Sequence, residues 1–216
     1  ASNNTAVGAS ALLANTTGFR NVALGNIALS TNTTGSYNVG VGYGALDENT
    51  TGEMNTAVGD FAGEKTTGNR NATLGSNSLR SNTSGNDNTA VGQAALQQNT
   101  TASYNTAVGR NALNFNTTGT QNVAIGANAL DTNQTGNNNT AIGYLALDKT
   151  TEDENVAVGN YTLRENLTGE YNTATGYQAL TKNTTADNNA AFGYKALFAN
   201  TSGTSNVAIG ANALDA

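Results

Sequence analysis

Five residues, most often Asn-x-Ala-Val-Gly, return along the chain every 17 residues, or, at two places, every 16. Units open at Asn4, Asn21, Asn38, Asn55, Asn71, Asn88, Asn105, Asn122, Asn139, Asn155, Asn172, Asn189 and Asn206. A fixed short period marks a stacked repeat and takes precedence over any local reading of helix or strand. The consensus is N-[TV]-A-[VIL]-G-x-x-A-L-x-x-N-T-T-G-x-x, whose places are numbered 1 to 17 below. This unit is too short for paired helices, and its Gly, Asn and Thr content disfavours helix. It predicts an all-β fold, a parallel β-solenoid (β-roll) of about 17 residues per coil running as a single array over residues 1–216. Each coil is expected to hold two short strands, N-T-A-V and x-A-L-x, with bends at the first Gly and at N-T-T-G. At ~4.8 Å per coil the stack makes a rod of roughly 60 Å.

Each place then receives a structural role. The fourth is almost always large and apolar, as in Val7, Leu24 and Val41, and the ninth is Leu12, Leu29, Leu46 and their equivalents, with Gly63 the exception. These two ladders are expected to face each other inside the coil. Alternation along a strand turns the third place the other way. There the small residues Ala6, Ala23, Ala57, Ala90, Ala107 and Ala124 are expected to form a smooth outer face that packs against other copies, as a homotrimer. The fifth place is Gly in all thirteen units, beginning with Gly8, Gly25 and Gly42. Such constancy points to a positive φ or to a backbone contact that excludes Cβ. The leading Asn4, Asn21, Asn38 and their successors, with the second Asn of each unit, are expected to stack as amide ladders at the corners.

The sequence has no Pro, Cys, His or Trp. Imidazole and thiolate chemistry, disulfides and the usual zinc, haem or iron–sulfur ligand sets are thereby excluded. No catalytic, cofactor-binding or metal-binding residue is assigned, and an enzyme is not expected. A net charge of −6 with only nine Lys plus Arg argues against nucleic-acid binding. No apolar run is long enough to insert in a membrane.

Other motifs have bland readings that outweigh sharper ones. Glu152, Asp153 and Glu154 form the one dense acidic run, read as a solvated corner in preference to a Ca²⁺ site because no Asp ladder continues it. Thr-Thr pairs, as at Thr16 and Thr33, would in a flat array order water as ice does. Many bends fit the Asn-x-Thr glycosylation pattern, among them Asn15, Asn32 and Asn200. Tyr43, Tyr144, Tyr177 and Tyr194 share the sixth place, where outward rings suit a glycan or a partner protein. The two short units lie 84 residues apart, and so do the identical decapeptides starting at Asn122 and Asn206. A five-coil superperiod therefore overlies the basic one, and the chain reads as a segment of a longer fibre.

The N-V-A-I-G of Asn122 to Gly126 and Asn206 to Gly210, with N-T-A-V-G elsewhere, resembles the head repeats of YadA-like trimeric autotransporter adhesins. Similar Asn-Thr-Ala-Val-Gly repeats occur in tail-fibre proteins. The resemblance implies a trimeric β-roll on a cell or virion surface, with a host-surface protein or glycan as a further partner. The resulting expectation is a structural extracellular fibre segment, a shaft or head giving a stiff projection and adhesion. A ligand-binding solenoid that uses a Thr face for ice or Tyr places for glycans is the alternative.

Overall fold

A computed structural model describes residues 2–215. The chain is an all-β parallel solenoid with one three-residue strand in each coil and, among the described residues, no helix. Two compact units are distinguished, Ala1–Asn105 and Thr106–Ala216. The first contains β1 (Thr5–Val7), β2 (Val22–Leu24), β3 (Val39–Val41), β4 (Thr56–Val58), β5 (Ala72–Leu74) and β6 (Thr89–Val91). The second contains β7 (Thr106–Val108), β8 (Val123–Ile125), β9 (Thr140–Ile142), β10 (Val156–Val158), β11 (Thr173–Thr175), β12 (Ala190–Phe192) and β13 (Val207–Ile209).

In both units each strand pairs in parallel with that of the next coil, like place against like place: Ala6 with Ala23, and Ala107 with Ala124. The 16-residue coils keep this register, since Ala57 pairs with Thr73 and Ala141 with Ala157. Their deletion falls at the far corner, where Thr66 and Thr150 take the buried place of the second Asn.

The expected second strand does not form. The A-L segment is a chain of turns in which the seventh and ninth places adopt left-handed backbone, for example Ile27 (φ 53°) and Leu29 (φ 52°). The reason is hydrogen-bond direction. Ile27 N–H donates back to Ala9 O at 2.9 Å, while Leu29 N–H donates forward to Ala45 O at 3.0 Å. Both left-handed residues thus keep their amides paired along the stack. A left-handed non-glycine residue costs about 1 kcal/mol. Complete burial of a Leu side chain contributes about 2 kcal/mol, so the ninth place still favours folding.

The interior is small and mixed. It holds the Ala of the third and eighth places, the Leu of the ninth and both Asn ladders, with Ala23, Ala28, Leu29, Asn21 and Asn32 all at zero exposure. Two expectations are reversed here. Val7, Leu24 and Val41 do not face the Leu ladder, because their strand turns the third place inward and the second and fourth outward. The expected outer face fails for the same reason: Ala23, Ala57, Ala90, Ala107 and Ala124 are fully buried, and Ala6, exposed in the first coil, stands in register with them. The lumen between strand and turn is already occupied by Leu12, Leu29, Leu46 and their equivalents, which leaves the strand side to small side chains, Ala in most coils and Thr73 in one.

The fifth-place glycines meet both expected requirements. Gly8, Gly25 and Gly42 have φ of 138°, 142° and 131°, in a region that L side chains rarely adopt. A Cβ on Gly42 would also lie 2.5 Å from the carbonyl oxygen of Gly59 in the next coil.

Candidate functional site

Three surfaces surround this interior: the outward side of the strands, the aromatic edge that follows them, and the Asn-Thr-Thr-Gly corner. The corner is mostly self-consumed. Asn32 is fully buried, and its amide nitrogen donates to Gly35 O at 3.0 Å and to Asn15 Oδ1 at 2.9 Å. The leading Asn ladder is equally engaged: Asn21 Oδ1 accepts the Asn38 N–H at 2.9 Å, and Asn21 Nδ2 donates to Gly35 O at 2.8 Å. These ladders satisfy, coil by coil, bend groups that would otherwise be buried without partners. In the folded coil the buried Asn-x-Thr sites therefore present no free amide to a glycosyl donor. The first Thr of the bend is also committed, with the hydroxyls of Thr16 and Thr33 donating to the Thr33 and Thr50 carbonyls at 2.9 and 3.0 Å.

The outward wall is different. Its fourth place exposes Val7 by 57%, Leu24 by 48% and Leu74 by 51% in the first unit. In the second unit it exposes Ile125 by 39% and Phe192 by 40%. The second place adds Thr or Val beside each of these, or Ala in two coils, and Thr175 is the only polar residue at the fourth. In each unit the result is a strip of apolar side chains, one per coil and interrupted in the second unit at Thr175, with no layer of the described chain over it. This surface was hidden from sequence reasoning by the assumption that the larger residue of an alternating pair points inward.

In six of the thirteen coils an aromatic residue lies in the turn that follows the strand. Tyr144, Tyr161, Tyr177 and Tyr194 form a run with ring centroids 5.3, 6.0 and 5.7 Å apart, the first two contacts edge to face and the last stacked. Arg164 sits 5.7 Å from the Tyr161 ring centroid and Lys195 sits 5.5 Å from that of Tyr194, so parts of the rings are covered by cations. In the first unit Tyr43 and Phe61 stand edge to face at 5.0 Å, with Arg80 4.8 Å from Phe61.

One carboxyl of the second unit departs far from ordinary behaviour. Burial, and then the neighbouring Asp148 carboxylate, push the Asp131 carboxyl up to about 6, while Arg110 opposes the shift. Burial likewise raises Asp148, against the pull of Arg164 and Lys149. Glu152, Asp153 and Glu154 do not draw other residues into a ligand set: among the described residues no group of three or more acidic side chains is placed to hold a metal ion. The described residues form no pocket. Compared with family models and with curated proteins, the sequence matches none.

Proposed function

We propose that this solenoid is a structural, non-enzymatic segment of an extracellular fibre, a shaft or head of a surface adhesin or tail-fibre-like protein that associates with copies of itself, as a homotrimer. The observation that carries the reading is the outward fourth-place wall, one residue per coil and apolar in every coil but that of Thr175, left partly exposed by the chain's own fold. Exposed apolar surface of this continuity belongs to proteins that bury it against a partner. The partner is another copy because a repeating strip is best matched by a strip of the same repeat. The mechanism is mechanical: parallel ladders between coils and the buried Asn ladders resist unfolding without any disulfide, and the assembled wall adds hydrophobic burial. The resemblance to YadA-like head repeats supports a cell or virion surface as the location.

Light scattering with small-angle X-ray scattering on the purified chain tests this. The expected result is an elongated particle at three times the 21.9 kDa chain mass. A particle at 21.9 kDa contradicts the proposal and turns attention to ligand binding by the bare wall or the tyrosine run. Thermal hysteresis and a glycan screen then separate ice from saccharide.

A further inference from the structure

The lack of Cys excludes disulfides, so a covalent tie between coils has to come from another side chain, and the chain has eight Tyr. Four of them make the run of Tyr144, Tyr161, Tyr177 and Tyr194, whose contacts are of two kinds. Tyr161 stands at the seventh place of its coil, and its neighbours Tyr144 and Tyr177 at the sixth of theirs. That offset sets the rings across one another, with interplanar angles of 87° and 84°. Tyr177 and Tyr194 are the one tyrosine pair that shares a place in successive coils. The Lys195 N–H, donating to Tyr177 O at 2.9 Å, holds the two backbones together, and the rings lie within 9° of parallel with centroids 5.7 Å apart. Both side chains are open to solvent, Tyr177 by 43% and Tyr194 by 49%. Neither hydroxyl hydrogen-bonds to another described residue, whereas that of Tyr37 accepts from Arg20 at 2.8 Å.

This arrangement suits a particular reaction of phenols. A one-electron oxidant takes an electron from a tyrosine while its O–H proton passes to water, leaving a phenoxyl radical whose spin is shared between the oxygen and the ring carbons beside it. In edge-to-face pairs the hydrogens of one ring point at the face of the other and keep those carbons apart. Parallel rings on adjacent coils place carbon against carbon, and partial exposure leaves both side chains free to close the remaining distance. We infer that Tyr177 and Tyr194 are a site of oxidative coupling, where an oxidant of the haem-peroxidase class joins the rings as dityrosine. The two radicals form one carbon–carbon bond, and each joined carbon gives up its hydrogen as the phenol is restored. With hydrogen peroxide as terminal oxidant, one hydrogen is lost from each ring and the peroxide is reduced to two waters. The product staples the coil opened by Asn172 to the coil opened by Asn189, and restricts the unfolded chain as a disulfide does. The inference needs no second copy and is independent of the self-association proposed above.

The purified chain is treated with a haem peroxidase and hydrogen peroxide, run on a denaturing gel, and digested with trypsin for mass spectrometry. Cleavage after Arg164, Lys182 and Lys195 separates Tyr177, in peptide 165–182, from Tyr194, in peptide 183–195. The expected result is dityrosine fluorescence in the band of single-chain mass, and the two peptides joined with the loss of two hydrogen atoms. Y177F and Y194F are each expected to abolish the joined peptide, while Y144F and Y161F retain it. A joined peptide that survives in Y177F assigns the coupling to Tyr171, which lies in the same peptide, and overturns the inference. Fluorescence confined to bands of twice the chain mass overturns it as well, since the coupling then runs between copies, and so does the absence of any dityrosine in the native chain.

Discussion

Leu113 and Val108 lie five residues apart in the same coil and have similar hydrophobicity, yet Leu113 is fully buried and Val108 sits on the outward wall. The comparison extends to the whole of each ladder. Leu residues of the ninth place supply most of the solenoid's own stability, and Val, Leu and Ile of the fourth place, which stay partly exposed after folding, add less to the isolated chain. In this fold hydrophobicity therefore serves two separate ends, and position relative to the Ala of the third place decides which one a residue serves.

Substitutions along the two ladders separate these roles. The largest loss is expected from Gly109→Ala, which combines strained backbone (φ 135°) with a Cβ 2.5 Å from the Gly126 carbonyl oxygen. Such a change is expected to cost about 4 kcal/mol in chemical denaturation. Leu113→Ala follows at about 3 kcal/mol, because it empties the one large apolar side chain its coil contributes to the interior. Asn133→Ala is expected to cost about 2 kcal/mol, since buried acceptors lose their donor. The donors removed are those to Gly136 O at 3.0 Å and Asn116 Oδ1 at 3.2 Å.

Two smaller effects sharpen the contrast. Thr73 occupies the inward third place with 3% exposure and a hydroxyl oxygen that has no partner. Thr73→Val keeps its shape and removes that cost, so a gain of about 1 kcal/mol is expected in the same denaturation series. Asp131 gives a pH signature. Its folded-state carboxyl titrates at about 6, above the ordinary value, so its stabilising contribution is complete below the unfolded value near 4 and is lost as pH rises through 6. Because the group is only half buried, the loss is on the order of 1 kcal/mol. Melting at pH 4.5 and pH 7.5 should show this decline, and Asp131→Asn should reduce it to the smaller slope, of the same sign, left by Asp148.

The period made the solenoid legible, because constancy at Asn4, Gly8 and Leu12 and their successors admits only a structure in which equivalent places stack. Gly8 and Gly25 were legible in detail, since an unbroken Gly in a strand-ending position has few physical causes. The polarity of the wall was not. Alternation assigns Ala23 and Leu24 to opposite sides, but the choice between sides depends on space left by Leu29 from across the lumen, a tertiary quantity. The second strand was misread for a related reason. Ala28 and Leu29 resemble a strand fragment in composition, whereas their backbone is set by the need to send amides alternately to the coils before and behind.

The central claim is that the fourth-place ladder serves assembly more than the fold of the single chain. Its most direct test is the concentration dependence of Tm for the native chain and for V108T/I125T/I142T, which extends to three more coils the threonine that the chain already carries at this place in Thr175. The account predicts that Tm rises with concentration for the native chain, as linkage to association requires, and that the variant melts at one concentration-independent temperature equal to the dilute limit of the native chain. A native Tm that does not move with concentration, or a variant that is destabilised in the dilute limit as Leu113→Ala is, would contradict it.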